Sequence, residues 1–162
     1  QLLPGSNKDE NRWQGKVRVG PLDMVMLRYA LEVCGGAHFF DGFAVTWFDQ
    51  IQKVGKWDIC NSYHITDEKF FSDTSTVKVR HGQDEEQLKY QSALARELFS
   101  CTPVVSSQSV EGKSQQELIA LCDDFFRQKF GIGLPMISFG PTEDEKFCNP
   151  PITGHNVIMF PD

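Results

Sequence analysis

Positive charge is scarce in this sequence: 16 Lys and Arg stand against 22 Asp and Glu, a formal net charge of −6. A protein that grips a nucleic-acid backbone needs a basic face to replace condensed counterions, so a generic nucleic-acid surface is not expected. A mononucleotide site, which a few donors satisfy, stays open. Long apolar runs are missing too. No stretch of about 18 apolar residues offers a membrane-spanning helix. No basic stretch followed by an apolar one opens the chain as a secretory signal would. A cytoplasmic protein is expected. Cysteines are few and ill-placed for a framework: the five (Cys34, Cys60, Cys101, Cys122, Cys148) are odd in number, widely spaced and without a C-x-x-C pair. Reduced, mostly buried thiols fit this pattern better than disulfides or a zinc site. The four histidines are scattered, and none stands at metal-ligand spacing from a Cys or carboxylate.

What is present suits one folded domain. The chain has 162 residues, 40% of them hydrophobic and 23% charged, enough to bury a core. Residues 1–19 are polar and poorly patterned. Asp23 is placed to cap a helix over Met24–Val33, ended by Gly35-Gly36, with Met24, Leu27 and Leu31 on its apolar face. Phe43 to Phe48 is a short apolar run that reads as a strand covered on both faces. Trp57 to Tyr63 reads as another strand, and the alternating Ser75–Arg80 as a half-exposed one. Residues 84–99 lack Gly and Pro and read as a helix, with Leu88, Ala95 and Leu98 among charges, broken by Thr102-Pro103. Ser114-Gln115-Gln116-Glu117 is a capping box. It opens a helix with Leu118, Leu121, Cys122, Phe125 and Phe126 at helical spacing, and Gly131 stops it. Pro135 to Gly140 reads as a last strand. Alternating helices and strands predict an α/β domain with a mixed sheet flanked by helices.

Ligands of open α/β sheets bind beyond the carboxyl ends of strands. Two such ends carry suggestive chemistry. Thr46-Trp47-Phe48-Asp49 places an acid at a strand terminus. An ionised carboxylate only accepts hydrogen bonds, and guanine presents two adjacent donors, the ring N1–H and the exocyclic amine. Adenine has an acceptor at N1 and satisfies one carboxylate oxygen only. Trp47 or Phe48 offers a flat surface on which any purine stacks. Ser138-Phe139-Gly140-Pro141 is the second end, where Gly140 lets a ligand approach the backbone. Taken singly, the first is more often core and turn, the second a strand ending in a Gly-Pro turn.

Taken in order, five segments resemble the adenylosuccinate synthetases. They are Gly20-Pro21-Leu22-Asp23 with the helix after it, Gly35-Gly36, Ala44 to Asp49, Ile59 to Tyr63, and Ile137-Ser138-Phe139-Gly140-Pro141 with the acids that follow. The resemblance covers roughly residues 15–147 and is weakest over 64–113. It implies the C-terminal half of a ligase that joins L-aspartate to a 6-oxopurine mononucleotide, consuming a nucleoside triphosphate, usually GTP, with Mg2+. It implies that residues 1–19 correspond to the arginine-rich substrate loop and 20–162 to the purine-nucleotide-binding part. Thr46, Trp47, Asp49, Ser138, Gly140 and Pro141 would then hold the triphosphate's base. Arg18 and Lys16 would bind substrate.

Three departures shape the expectation. The family usually has Lys where this chain has Trp47. An indole discriminates less between purines, so ATP or dATP joins GTP as a candidate donor. A divergent base pocket also suits the phage branch that makes 2-aminoadenylosuccinate from dGMP, so IMP and dGMP are both open as substrate. The arginine loop is reduced to Gly15-Lys16-Val17-Arg18-Val19-Gly20, and Lys cannot reproduce a bidentate guanidinium. The family's glycine-rich phosphate loop and its catalytic Asp and His have no counterpart here. No catalytic residue is therefore expected in this chain, and Mg2+ would be bound through a missing N-terminal half. Homodimers are common in the family. A non-catalytic nucleotide-binding or interaction module on this fold is the alternative reading.

Overall fold

The computed structural model describes Arg12, Gly15, residues 19–65 and residues 67–148. Its first sheet is built on β3 (Lys56–His64), which pairs in parallel with β1 (Leu22–Asp23) and antiparallel with β6 (Thr102–Ser109). Strand β3 carries two different cores because of one irregularity. Side chains alternate along a strand, so Trp57 and Ile59 enter one cluster and Cys60 the other. The register then shifts: Cys60 faces Val105, Ser62 faces Val104, and Asn61 is the extra residue. A bulge of this kind reverses the alternation beyond it. Tyr63 thereby joins Cys60 in the second cluster.

The larger cluster lies under α4 (Gln115–Phe130), which buries Leu118, Cys122 and Phe126. The capping box is formed: the Ser114 hydroxyl accepts from Glu117 N–H, and the Glu117 carboxylate accepts from Ser114 N–H. Gly131 closes the helix in the left-handed region at φ 71°. The second cluster lies under α3 (Glu85–Ser100) and the hairpin of β4 (Phe71–Asp73) and β5 (Thr76–Val77). Helix α1 (Met24–Val33) joins the two, since Met24 and Val25, both fully buried, belong to different clusters.

A second sheet holds β2 (Ala44–Val45), β7 (Met136–Ser138) and β8 (Lys146–Cys148), with β7 parallel to β2 and antiparallel to β8. Gly42 is required where the chain enters β2: a Cβ there would lie 2.1 Å from Pro135. Both sheets are mixed and flanked by helices, an α/β arrangement. Among the described residues no helix is long and apolar enough to cross a membrane.

Several expectations are corrected. The strand expected over 43–48 is confined to Ala44–Val45, because Trp47 adopts φ 64° and Phe48 begins α2 (Phe48–Val54). The strand expected over 75–80 is Thr76–Val77 only. Thr102-Pro103 does stop α3, and it also opens β6, a strand not expected from the sequence. Leu88 and Ala95 of α3 face outward, and the helix buries Gln87 and Leu94 instead. All five cysteines are free thiols, but only Cys60 and Cys122 are buried, while Cys34 and Cys148 are exposed.

Candidate functional site

Parallel pairing of β2 with β7, Val45 opposite Ile137, makes the two strands end side by side. Thr46 and Ser138 therefore leave the same edge of one sheet. Beyond it the turns diverge, one into α2 and one toward β8, and they are pinned together by Phe48 against Phe139, ring centroids 5.8 Å apart and nearly perpendicular. Asp49 follows the first of these rings and Gly140 the second.

Asp49 thus sits in the first turn of a helix, not at the strand terminus, a place where the helix dipole favours negative charge. Its Oδ2 accepts from Lys53 Nζ at 2.8 Å and from Gln50 Nε2 at 2.5 Å. Its Oδ1 accepts no hydrogen bond from the described residues. Ser138 is buried, and its Oγ donates to the Gly140 carbonyl at 2.7 Å, which fixes the turn. Glu145 lies over Gly140, so closely that a Cβ at 140 would fall 2.1 Å from its Oε1. The Glu145 carboxylate accepts from Thr142 Oγ1 and N–H at 2.5 and 2.9 Å. These bonds hold its pKa below the usual range, Lys146 assists, and repulsion from Asp49 works the other way. Lys146 Nζ donates to the carbonyls of Pro141 and Thr142 at 3.2 and 2.6 Å.

The other side of α2 borders a cleft of about 440 Å³. Trp47, Gln50, Ile51 and Val54, one face of the helix, form one wall, and Leu22 and Trp57 stand among the residues opposite. Mostly apolar walls with a few polar groups are the usual make-up of a small-molecule site. Trp47 is 44% exposed, and it is the one non-glycine residue at positive φ among the described residues. Such a conformation is costly for a bulky side chain and tends to mark functional positions.

The six expected base-site residues are therefore divided. Thr46 and Trp47 line the cleft. Asp49, Ser138, Gly140 and Pro141 do not; they belong to the paired turns on the other side of the helix start. Lys16 and Arg18 lie outside the described residues. Gln50, Lys53 and Glu145 were not anticipated. Asp49–Lys53 is an i,i+4 pair, legible once a helix is recognised there, and Thr142-x-x-Glu145 has capping-box spacing.

Two other segments of the resemblance also meet. Asp23 Oδ1 accepts from Val25 and Met26 N–H, both at 3.0 Å, and Oδ2 accepts from the Tyr63 hydroxyl. Burial raises the Tyr63 pKa, and the bond to Asp23 adds to it. This contact ties α1 to β3 and has a structural role. Among the described residues no three His, Cys, Asp or Glu side chains gather as a metal site. No protein-family model matches the chain, and no curated protein matches it significantly.

Proposed function

We propose that this chain is the purine-nucleotide-binding part of a ligase of the adenylosuccinate synthetase type, one that joins L-aspartate to a 6-oxopurine nucleotide, IMP or dGMP. The observation that carries the reading is the pair of parallel strand ends that puts Asp49 beside the Ser138–Pro141 turn. In this role Asp49 Oδ1 accepts from the donor edge of a purine and Lys53 and Gln50 hold the carboxylate in place, while the space over Gly140 is taken by the Glu145 carboxylate. Trp47 lines the cleft on the opposite side of the helix start and does not stack on a base held by Asp49. The phosphate loop, the Mg2+ site and the catalytic groups come from an N-terminal half outside these 162 residues. Asp49 favours GTP as donor, and without the family's lysine at position 47 ATP and dATP remain as weaker ones.

Calorimetric titration of the full chain with GTP, ATP and dATP tests the reading. Losing a bond to a charged group costs about 1.5–3 kcal/mol, so Asp49→Asn should weaken GTP binding by about tenfold or more, at 1.4 kcal/mol per factor of ten. ATP binding should change far less. Absence of binding by every purine nucleotide would refute the proposal.

A further inference from the structure

Strand β6 is the most exposed element of the fold. All eight of its residues are exposed, and it forms the outer edge of its sheet, with no strand beyond it among the described residues. Its free backbone groups can be assigned. Val110 N–H donates to the Gly55 carbonyl, on the β3 side. At the other end Tyr63, paired with Pro103, sends its N–H away from β6 to Thr74. N–H directions alternate along an antiparallel strand. Val104, Ser106 and Gln108 therefore face β3, while Pro103, Val105, Ser107 and Ser109 face outward.

Monomeric proteins guard such edges with charge, proline or bulges. Residues 101–110 carry no charged side chain, although the chain as a whole has a net charge of −6. The only guard on β6 is Pro103, at one end. We propose that the outer edge of β6 pairs antiparallel with the same strand of a second copy of this chain, with the twofold axis at Ser107. In this register Ser107 faces Ser107 of the second copy, and Val105 faces Ser109 of the second copy. Each outward residue then exchanges both of its backbone bonds. Pro103, which has no N–H to give, falls outside the paired stretch. No like charges meet across the axis. The uncharged, self-complementary edge is what selects a second copy over an unlike partner. The inference is independent of any nucleotide bound elsewhere.

Sedimentation velocity over a concentration series, with hydrogen exchange on the full chain, tests it. A monomer–dimer equilibrium is expected, with the amides of Val105, Ser107 and Ser109 gaining protection as concentration rises. Those of Val104, Ser106 and Gln108 should be protected throughout. Ser107→Pro removes the central donor from both strands but spares the bonds to β3, and should raise the dissociation constant at least tenfold. Ser107→Lys places like charges at the axis and should do the same while the circular dichroism spectrum stays that of the wild type. A monomer at every concentration would overturn the proposal. So would a dimer that both variants leave intact, or a foreign strand found covering this edge.

Discussion

Trp47 divides an apolar run into a strand and a helix. Reading Phe43–Phe48 by residue type alone gives an unbroken strand, because every side chain in it suits a buried sheet. The left-handed backbone of Trp47 ends that strand early, sends Phe48 inward to a 1% exposed position and starts α2. A left-handed L-residue costs about 1–2 kcal/mol, and a β-branched one fares worst. Trp47→Gly should therefore stay within about 1 kcal/mol of wild-type stability, while Trp47→Val should fall further, by roughly 1–2 kcal/mol. Urea denaturation of both variants measures the difference. Equal stabilities would mean that position 47 is not held left-handed. Asp49 shows the reverse side of legibility. Its chemistry, an acceptor suited to a donor edge, could be read from its type, but its ion pair could not, since Lys53 becomes a neighbour only once α2 exists.

At the scale of elements, Asp23 does two things with one carboxylate. It caps α1 and receives the Tyr63 hydroxyl from β3. The cap was legible from an Asp standing just before a helical pattern. The bond to Tyr63 was not, because it depends on the bulge at Asn61 that turns Tyr63 to the Cys60 face. Tyr63→Phe removes a bond to a charged acceptor and should cost about 1.5–3 kcal/mol. Asp23→Ala loses the cap as well as this bond and should cost more. If Tyr63→Phe unfolds at the wild-type urea midpoint, the Tyr63 bond carries no share of the linkage. Strand β6 escaped the sequence reading for a related reason. Proline is a poor predictor of strand when its position in the sheet is unknown, and at an outward-facing edge position it breaks no ladder bond.

At the scale of the whole molecule, buried weak acids are expected to lower stability at alkaline pH. Burial, with Asp123 adding to it, pushes the Cys122 thiol from its ordinary 9.0 up to about 12. Cys60 and Tyr63 are shifted in the same direction, chiefly by burial. A group whose folded pKa is raised keeps its proton in the native state, and the unfolded chain releases it first. The contribution of Cys122 is complete below about pH 9 and is lost as pH rises toward 12. The urea midpoint should fall over that interval, and less steeply in Cys122→Ala than in wild type. Parallel profiles would show that this thiol is not the group responsible.

Much of the skeleton was determined locally, and so by sequence. Helix α1 with its Asp23 cap and glycine stop, α4 with its capping box, and the central strand β3 follow from short-range patterns that need no partner. The two chemically suggestive segments, Thr46–Asp49 and Ser138–Pro141, were likewise visible as residues. Only the tertiary structure decided how they relate. Parallel pairing of β2 with β7 joins segments some ninety positions apart in the chain, a contact that no local period encodes. The same packing set Trp47 and Asp49 on opposite sides of α2, because a left-handed residue at the helix start turns the chain in a direction that side-chain type does not reveal.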